Sequence, residues 1–172
     1  NHRIRKIVIS TGVVTTLAGS GSQSFADGTG TSASFNVPRG IIRVGTNLYV
    51  VDTENHRIRK IVISTGVVTT IAGSGSGGYL DGTGTSASFN KPRGITTDGT
   101  NLYVTDSNSH RIRKIVISTG VVTTFAGSGQ GFADGTGTSA KFIEPRGITT
   151  DGINLYVVIP RGSINFAEVP VP

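Results

Sequence analysis

Apolar and polar positions along this chain fall into short runs, not long stripes. In one stretch, "RGITTDG" is a β-rich run ended by Asp98 and Gly99. It is followed by "NLYVTD", with Leu102, Tyr103 and Val104, then by "HRIRKIVIS", and then by "VVTTFAG". Ser118, Thr119 and Gly120 stand between the last two runs and predict a tight reversal, with the glycine free to take positive φ. Four short runs bounded by turn residues predict an antiparallel meander. Continuous apolar letters mixed with imperfect alternation predict strands buried on both faces. The Val, Ile and Thr content and the closely spaced glycines disfavour a helix.

The same pattern is spelled three times. "NHRIRKIVISTGVVTT" begins at Asn1, returns at Asn55, and returns from Ser109 with one letter changed. "HRIRK" occupies 2–6, 56–60 and 110–114; "DGTGTSA" occupies 27–33, 81–87 and 134–140. "PRGI" occupies 38–41, 92–95 and 145–148; "NLYV" occupies 47–50, 101–104 and 154–157. The interval is 54 residues, shortened to 53 where "GSGQGFADG" has one residue fewer than "GSGSGGYLDG". A deletion in a Gly/Ser loop is cheap, so the unit has a rigid part and a tolerant part. A four-stranded unit repeating at this period reads as a blade of a β-propeller, in which each blade covers its neighbours. The linker "AGSGSGGYLDGTGTSASFNKPRG" then carries the chain from the outer strand of one blade to the inner strand of the next, with Ala87 and Phe89 as anchors.

The letters "PRGITTDGTNLYVTDSNSHRIRKI" resemble the NHL repeat, a propeller-blade family named for an Asn-His-Leu signature. The matching features are Pro-x-Gly-Ile, Asn-Leu-Tyr-Val, an Asp, and His-Arg-Ile-Arg-Lys; the third signature letter is Arg here, as in many bacterial members. The resemblance runs to about Val158 and implies an all-β, usually six-bladed, propeller of four-stranded antiparallel blades. It implies fold more than function, because the family includes protein-binding and RNA-binding modules and is related to metal-dependent lyases.

Counting strands gives a single propeller domain over 1–172. Residues 1–20 supply an outer half-blade, 37–74 and 91–128 full blades, 145–158 an inner half-blade, and 159–172 a divergent tail. The tail has Ile159 where the copies have Asp52 and Asp106; Ile164 and Phe166 could still share one strand face, and Pro170 and Pro172 end pairing. The halves sum to three blade equivalents, too few to close a ring. The expectation is a six-bladed ring formed by a homodimer through split-blade closure, or within a longer chain of which this is a fragment; the missing Met favours the fragment.

Composition changes the picture little. Cys is absent, which excludes disulfides, thiol nucleophiles and thiolate metal sites. No apolar run is long enough to span a membrane. A secreted or cell-surface setting is favoured over the cytoplasm. The formal net charge is +6, and each "HRIRK" multiplies the excess, so a solvated face is the ordinary explanation.

The chemistry is equally repetitive. His2, His56 and His110 stand one per repeat and are expected to serve loop structure, not to hold zinc, because equivalent positions face different directions around a ring. Asp52 and Asp106 are expected to cap amides in the turn that follows them. Asp27, Asp81 and Asp134 stand alone in their loops, short of a calcium loop's ligand count, and a Gly-rich turn explains them. Arg57, Arg59 and Lys60 are expected on a solvated outer edge. No catalytic constellation, metal site or cofactor requirement emerges. Arg39, Arg93 and Arg146 follow Pro where each inner strand begins, near the axis, and would form a basic circle around the channel mouth. These three are the ligand-binding candidates, for carboxylates, phosphates or an acidic peptide. The expected function is a non-catalytic binding scaffold for a protein or anionic ligand. An RNA-binding propeller is the first alternative, not favoured because aromatics are few, and a metal-dependent lyase-like enzyme is the second.

Overall fold

The computed structural model describes residues 1–160. The expectations placed on Ile164, Phe166, Pro170 and Pro172 lie outside the described residues. The first half-blade is β1 (Ile4–Ile7) paired with β2 (Val14–Ala18). The first full blade has β4 (Pro38–Val44), β5 (Asn47–Asp52), β6 (Arg57–Val62) and β7 (Val67–Ala72) as a meander, with a two-residue strand β3 (Gly28–Thr29) added outside β7. The second repeats it with β9 (Pro92–Thr97), β10 (Asn101–Asp106), β11 (Arg111–Val116) and β12 (Val121–Ala126), with β8 (Gly82–Thr83) outside. The last pair is β13 (Gly147–Thr150) and β14 (Leu155–Val158). All ladders are antiparallel. The sheets are blades as expected, except that each full blade gains its fifth, shortest strand from the preceding linker.

Each full blade is buried on both faces because its neighbours cover it. Val50, Ile61 and Val68 belong to one apolar cluster with Ile4 and Phe35, on the side of the first half-blade. Val51 and Ile58 belong to another, with Ile95, Leu102 and Ile115. Ala87 and Phe89, the expected linker anchors, are fully buried in that second cluster. Burying side chains of this size contributes about 1.5–3 kcal/mol each, which is what a blade lacks when it stands alone.

The inner strands approach one another closely. A Cβ on Gly40 would meet the Arg93 carbonyl oxygen, and one on Gly94 would meet that of Arg146. Glycine is therefore required in "PRGI": its missing side chain lets adjacent blades touch backbone to backbone.

Candidate binding face and the arginines that build it

The ladder between the third and fourth strands of each repeat shifts register at one place, where the fourth strand holds an extra residue. Ile58 opposes Ala72 but Arg59 opposes Thr70; Ile112 and Arg113 repeat this against Ala126 and Thr124, and Ile4 and Arg5 against Ala18 and Thr16. Ile58 and Arg59 are both fully buried, as Arg113 is in the next blade; Ile58 packs with Val51 on one face of the blade, and Arg59 stands opposite Val50 on the other. The expectation of a solvated edge at Arg59 is therefore corrected, because both faces of the blade are covered and the preceding linker closes over the guanidinium.

Inside, Arg59 meets four oxygens. Its Nη1 donates to the Asp52 Oδ2 at 2.8 Å and the Ser34 carbonyl at 3.0 Å; its Nη2 donates to the Asp27 Oδ1 at 2.6 Å and the Ala26 carbonyl at 2.8 Å. Arg113 repeats the set with Asp106 at 3.2 Å, Ser88 at 2.9 Å, Asp81 at 2.7 Å and Leu80 at 3.1 Å. Asp27, Asp81 and the carbonyls all belong to linkers, so each buried arginine fastens its linker to its blade. Asp27 and Asp81 thus do more than turn the chain. Asp52 and Asp106 make no cap bond in their own turns. Their Oδ1 atoms accept the Asn36 amide at 2.7 Å and the Asn90 amide at 2.6 Å, across to the linker. Burial raises both carboxyls, Asp106 to about 6, against the opposing pull of these hydrogen bonds and the arginines.

His56 and His110 close short turns, and all three histidines have positive φ: 45° at His2, 54° at His56 and 57° at His110. Each Nδ1 accepts a backbone amide, from Val37, Lys91 and Glu144 respectively, each at 3.1 Å. Those amides immediately precede the "PRGI" strand of the next blade, so each histidine fastens one blade to its neighbour. Accepting at Nδ1 requires a neutral ring. Among the described residues no three His, Asp or Glu stand close enough together to hold a metal.

This fastening places the three candidate arginines at the starts of adjacent inner strands. Arg39 and Arg146 are exposed and Arg93 is half-buried. Arg93 lies in the field of both others: burial lowers its pKa first, and the charges of Arg146 and Arg39 lower it further. Two acidic neighbours already have partners, Glu54 with Lys91 at 3.1 Å and Glu144 with Arg146 at 3.1 Å. Among the described residues the guanidinium groups of Arg39 and Arg93 have no hydrogen-bond acceptor, and the buried Arg93 Nε is unpartnered. Phe25, Tyr79 and Phe132 recur once per linker and are exposed; the guanidinium groups of Arg57 and Arg111 lie 3.8 Å from the Phe25 and Tyr79 ring centres. The sequence reading missed these aromatics, although their spacing of 54 and 53 residues was a usable signal.

Comparison with known proteins agrees with this geometry. Residues 89–115 match the model of the NHL repeat. The chain is 32% identical over 142 residues to the protein SUPPRESSOR OF QUENCHING 1, chloroplastic, of Arabidopsis thaliana, a match covering 77% of this chain and 14% of that protein. It is 39% identical over 85 residues to NHL repeat-containing protein 2 of Gallus gallus, covering 49% of this chain and 12% of that one. The chain thus spans only a small part of these relatives. A crystal structure of a Bacteroides thetaiotaomicron protein of unknown function superposes with a TM-score of 0.74 at 27% identity, over 91% of this chain and 39% of the other. One repeat is matched directly, and its letters recur on either side: the chain belongs to the NHL-repeat β-propellers.

Proposed function

We propose that this chain is a non-catalytic binding scaffold that holds an anionic ligand, small or borne on a protein, at the channel-mouth face through Arg39, Arg93 and Arg146. The observation that carries the reading is the pair Arg39 and Arg93, adjacent cations with no acceptor of their own. Arg39, Arg93, Arg146 and Lys91 face Glu54 and Glu144, a local excess of positive charge suited to a dianion. Carboxylates and phosphates pair with guanidinium groups through two parallel hydrogen bonds. Calorimetric titration of citrate and of inorganic phosphate tests it. Saturable binding that weakens at least tenfold in Arg93→Ala, and with added salt, is expected. No binding, or binding that Arg93→Ala leaves unchanged, overturns it.

The RNA reading gains one observation, the exposed Phe25, Tyr79 and Phe132, since aromatic rings accept stacked bases. A single-stranded RNA bound with a steep salt dependence and lost in Tyr79→Ala would favour it over the small-anion reading.

A further inference from the structure

A groove of about 670 Å³ lies at the second full blade, away from the three candidate arginines. Tyr79, Leu80 and Asp81 line it from the linker that enters the blade, Thr138 from the linker that leaves it, and Arg111 and Thr124 from the blade itself. The blade between the two linkers is complete. Phe25, in Tyr79's place one repeat earlier, has a complete blade and linker after it and is still exposed. A following blade therefore leaves this position open.

The groove is preformed. The Gly78 amide donates to the Phe89 carbonyl at 3.2 Å, the Leu80 amide to the Ser88 Oγ at 2.8 Å, and the Ser88 amide to the Leu80 carbonyl at 3.0 Å. Arg111 donates to the Ser109 carbonyl at 2.6 Å and the Ser128 carbonyl at 2.8 Å, which fixes its guanidinium 3.8 Å from the Tyr79 ring centre. Tyr79 is nevertheless 57% exposed, and Leu80 beside it 65%. One face of the ring is covered and the other is open. The Asp81 Oδ1 accepts from Arg113 at 2.7 Å and from Thr124 at 3.1 Å, whereas its Oδ2 accepts nothing among the described residues. In Asp27, one repeat earlier, Oδ2 accepts the Thr70 amide at 3.2 Å, and Ala26 stands where the second repeat has Leu80. Of the two full blades, only the second leaves a carboxylate oxygen unused beside an aromatic ring.

We propose that this groove binds a neutral pyranose sugar, one C–H face stacked on Tyr79 and its hydroxyls donating to the Asp81 Oδ2. Charge decides the ligand class. A cation on the ring would stand against Arg111, and an anion against Asp81; a neutral ligand meets neither repulsion. That ligand must offer an apolar face to the ring and to Leu80, and donors to a carboxylate, which only accepts. A pyranose does both, with C–H bonds on its faces and hydroxyls around its rim. C–H groups are drawn to the negative face of an aromatic ring. Thr138, whose hydroxyl makes no hydrogen bond among the described residues, offers a second polar contact. The volume falls within the range of about 300–1,000 Å³ usual for small-molecule sites. Because the ring and the carboxylate are already held in place, little ordering cost falls on binding. The groove does not depend on anion binding by Arg39, Arg93 and Arg146, none of which lines it.

Saturation-transfer NMR of the unaltered chain with the methyl glycosides of glucose, galactose, mannose and N-acetylglucosamine tests this. Saturable binding of at least one is expected, unchanged by added salt because the ligand is neutral. Tyr79→Ala, at an exposed position with the fold checked by circular dichroism, is expected to weaken it about tenfold or more, and Tyr79→Phe to retain it, since the ring carries the stacking. Binding of none of the glycosides, or binding that Tyr79→Ala leaves unchanged, overturns the proposal. A single-stranded oligouridylate that binds through Tyr79 with steep salt dependence, where the glycosides do not bind, overturns it in favour of RNA. Monodeoxy analogues of the best glycoside read the carboxylate contact without altering the protein. Loss of one hydroxyl at some ring position is expected to cost about tenfold; indifference to every hydroxyl overturns the contact with Asp81.

Discussion

At the scale of the residue, the buried arginine gives "HRIRK" a structural role in each full blade. A guanidinium taken from water needs its donors occupied, and four oxygens from three segments occupy four of them in each full blade. Asp106→Ala is expected to destabilise the chain by about 3–5 kcal/mol, since it leaves Arg113 buried with half its charge balance removed; urea denaturation measures this. The pH dependence has a definite sign. The folded pKa of Asp106 lies near 6, above the ordinary 3.8. Its contribution is therefore fully present below about 3.8 and lost as pH rises through about 6, and Asp106→Asn should remove that slope. Period-two alternation sets Arg59 on the face opposite Ile58, but the letters do not say what covers that face. Only the folded linker, which brings Ala26, Asp27 and Ser34 onto the guanidinium, shows it enclosed.

At the scale of the element, the histidine turns decide how one blade holds the next. His56 and His110 are held below the ordinary 6.5 chiefly by burial, with Glu54 and Glu144 opposing and Arg57, Lys91 and Arg111 assisting. A depressed histidine contributes stability that is present above pH 6.5 and lost as pH falls through its folded value. Acidification below 6.5 should protonate Nδ1, remove the bonds to Lys91 and Glu144, and loosen neighbouring blades. His56→Asn, which tolerates positive φ without titrating, should flatten that part of the stability profile, measured by thermal unfolding at a series of pH values. The slope from Asp106 runs the opposite way, so the difference between wild type and variant isolates the histidine. The sequence reading assigned these residues to loops, but a partner 35 residues away leaves no local signal in the letters.

At the scale of the whole molecule, neighbouring blades are held by close backbone approach as well as by shared core. A Cβ at residue 94 would meet the Arg146 carbonyl oxygen of the next inner strand. Gly94→Ala is therefore expected to destabilise the chain by about 1–3 kcal/mol, as overpacking does; urea denaturation measures it, and an unchanged midpoint would show that the inner strands can separate without cost.

The letters by themselves determined the strands, the period, the blade and the family. These follow from local preference and from repetition, and both are written along the chain. Tertiary structure alone decided which cations are buried and which stand free. Arg59 and Arg5 occupy the same repeat context, "HRIRKIVISTGVVTT", yet one is enclosed and the other exposed, because enclosure depends on strands and linkers that lie far away in sequence. Likewise the close approach at Gly40 exists only once a neighbouring blade presents the Arg93 carbonyl. Local chemistry repeats with the sequence; burial does not, since it belongs to neighbours in space.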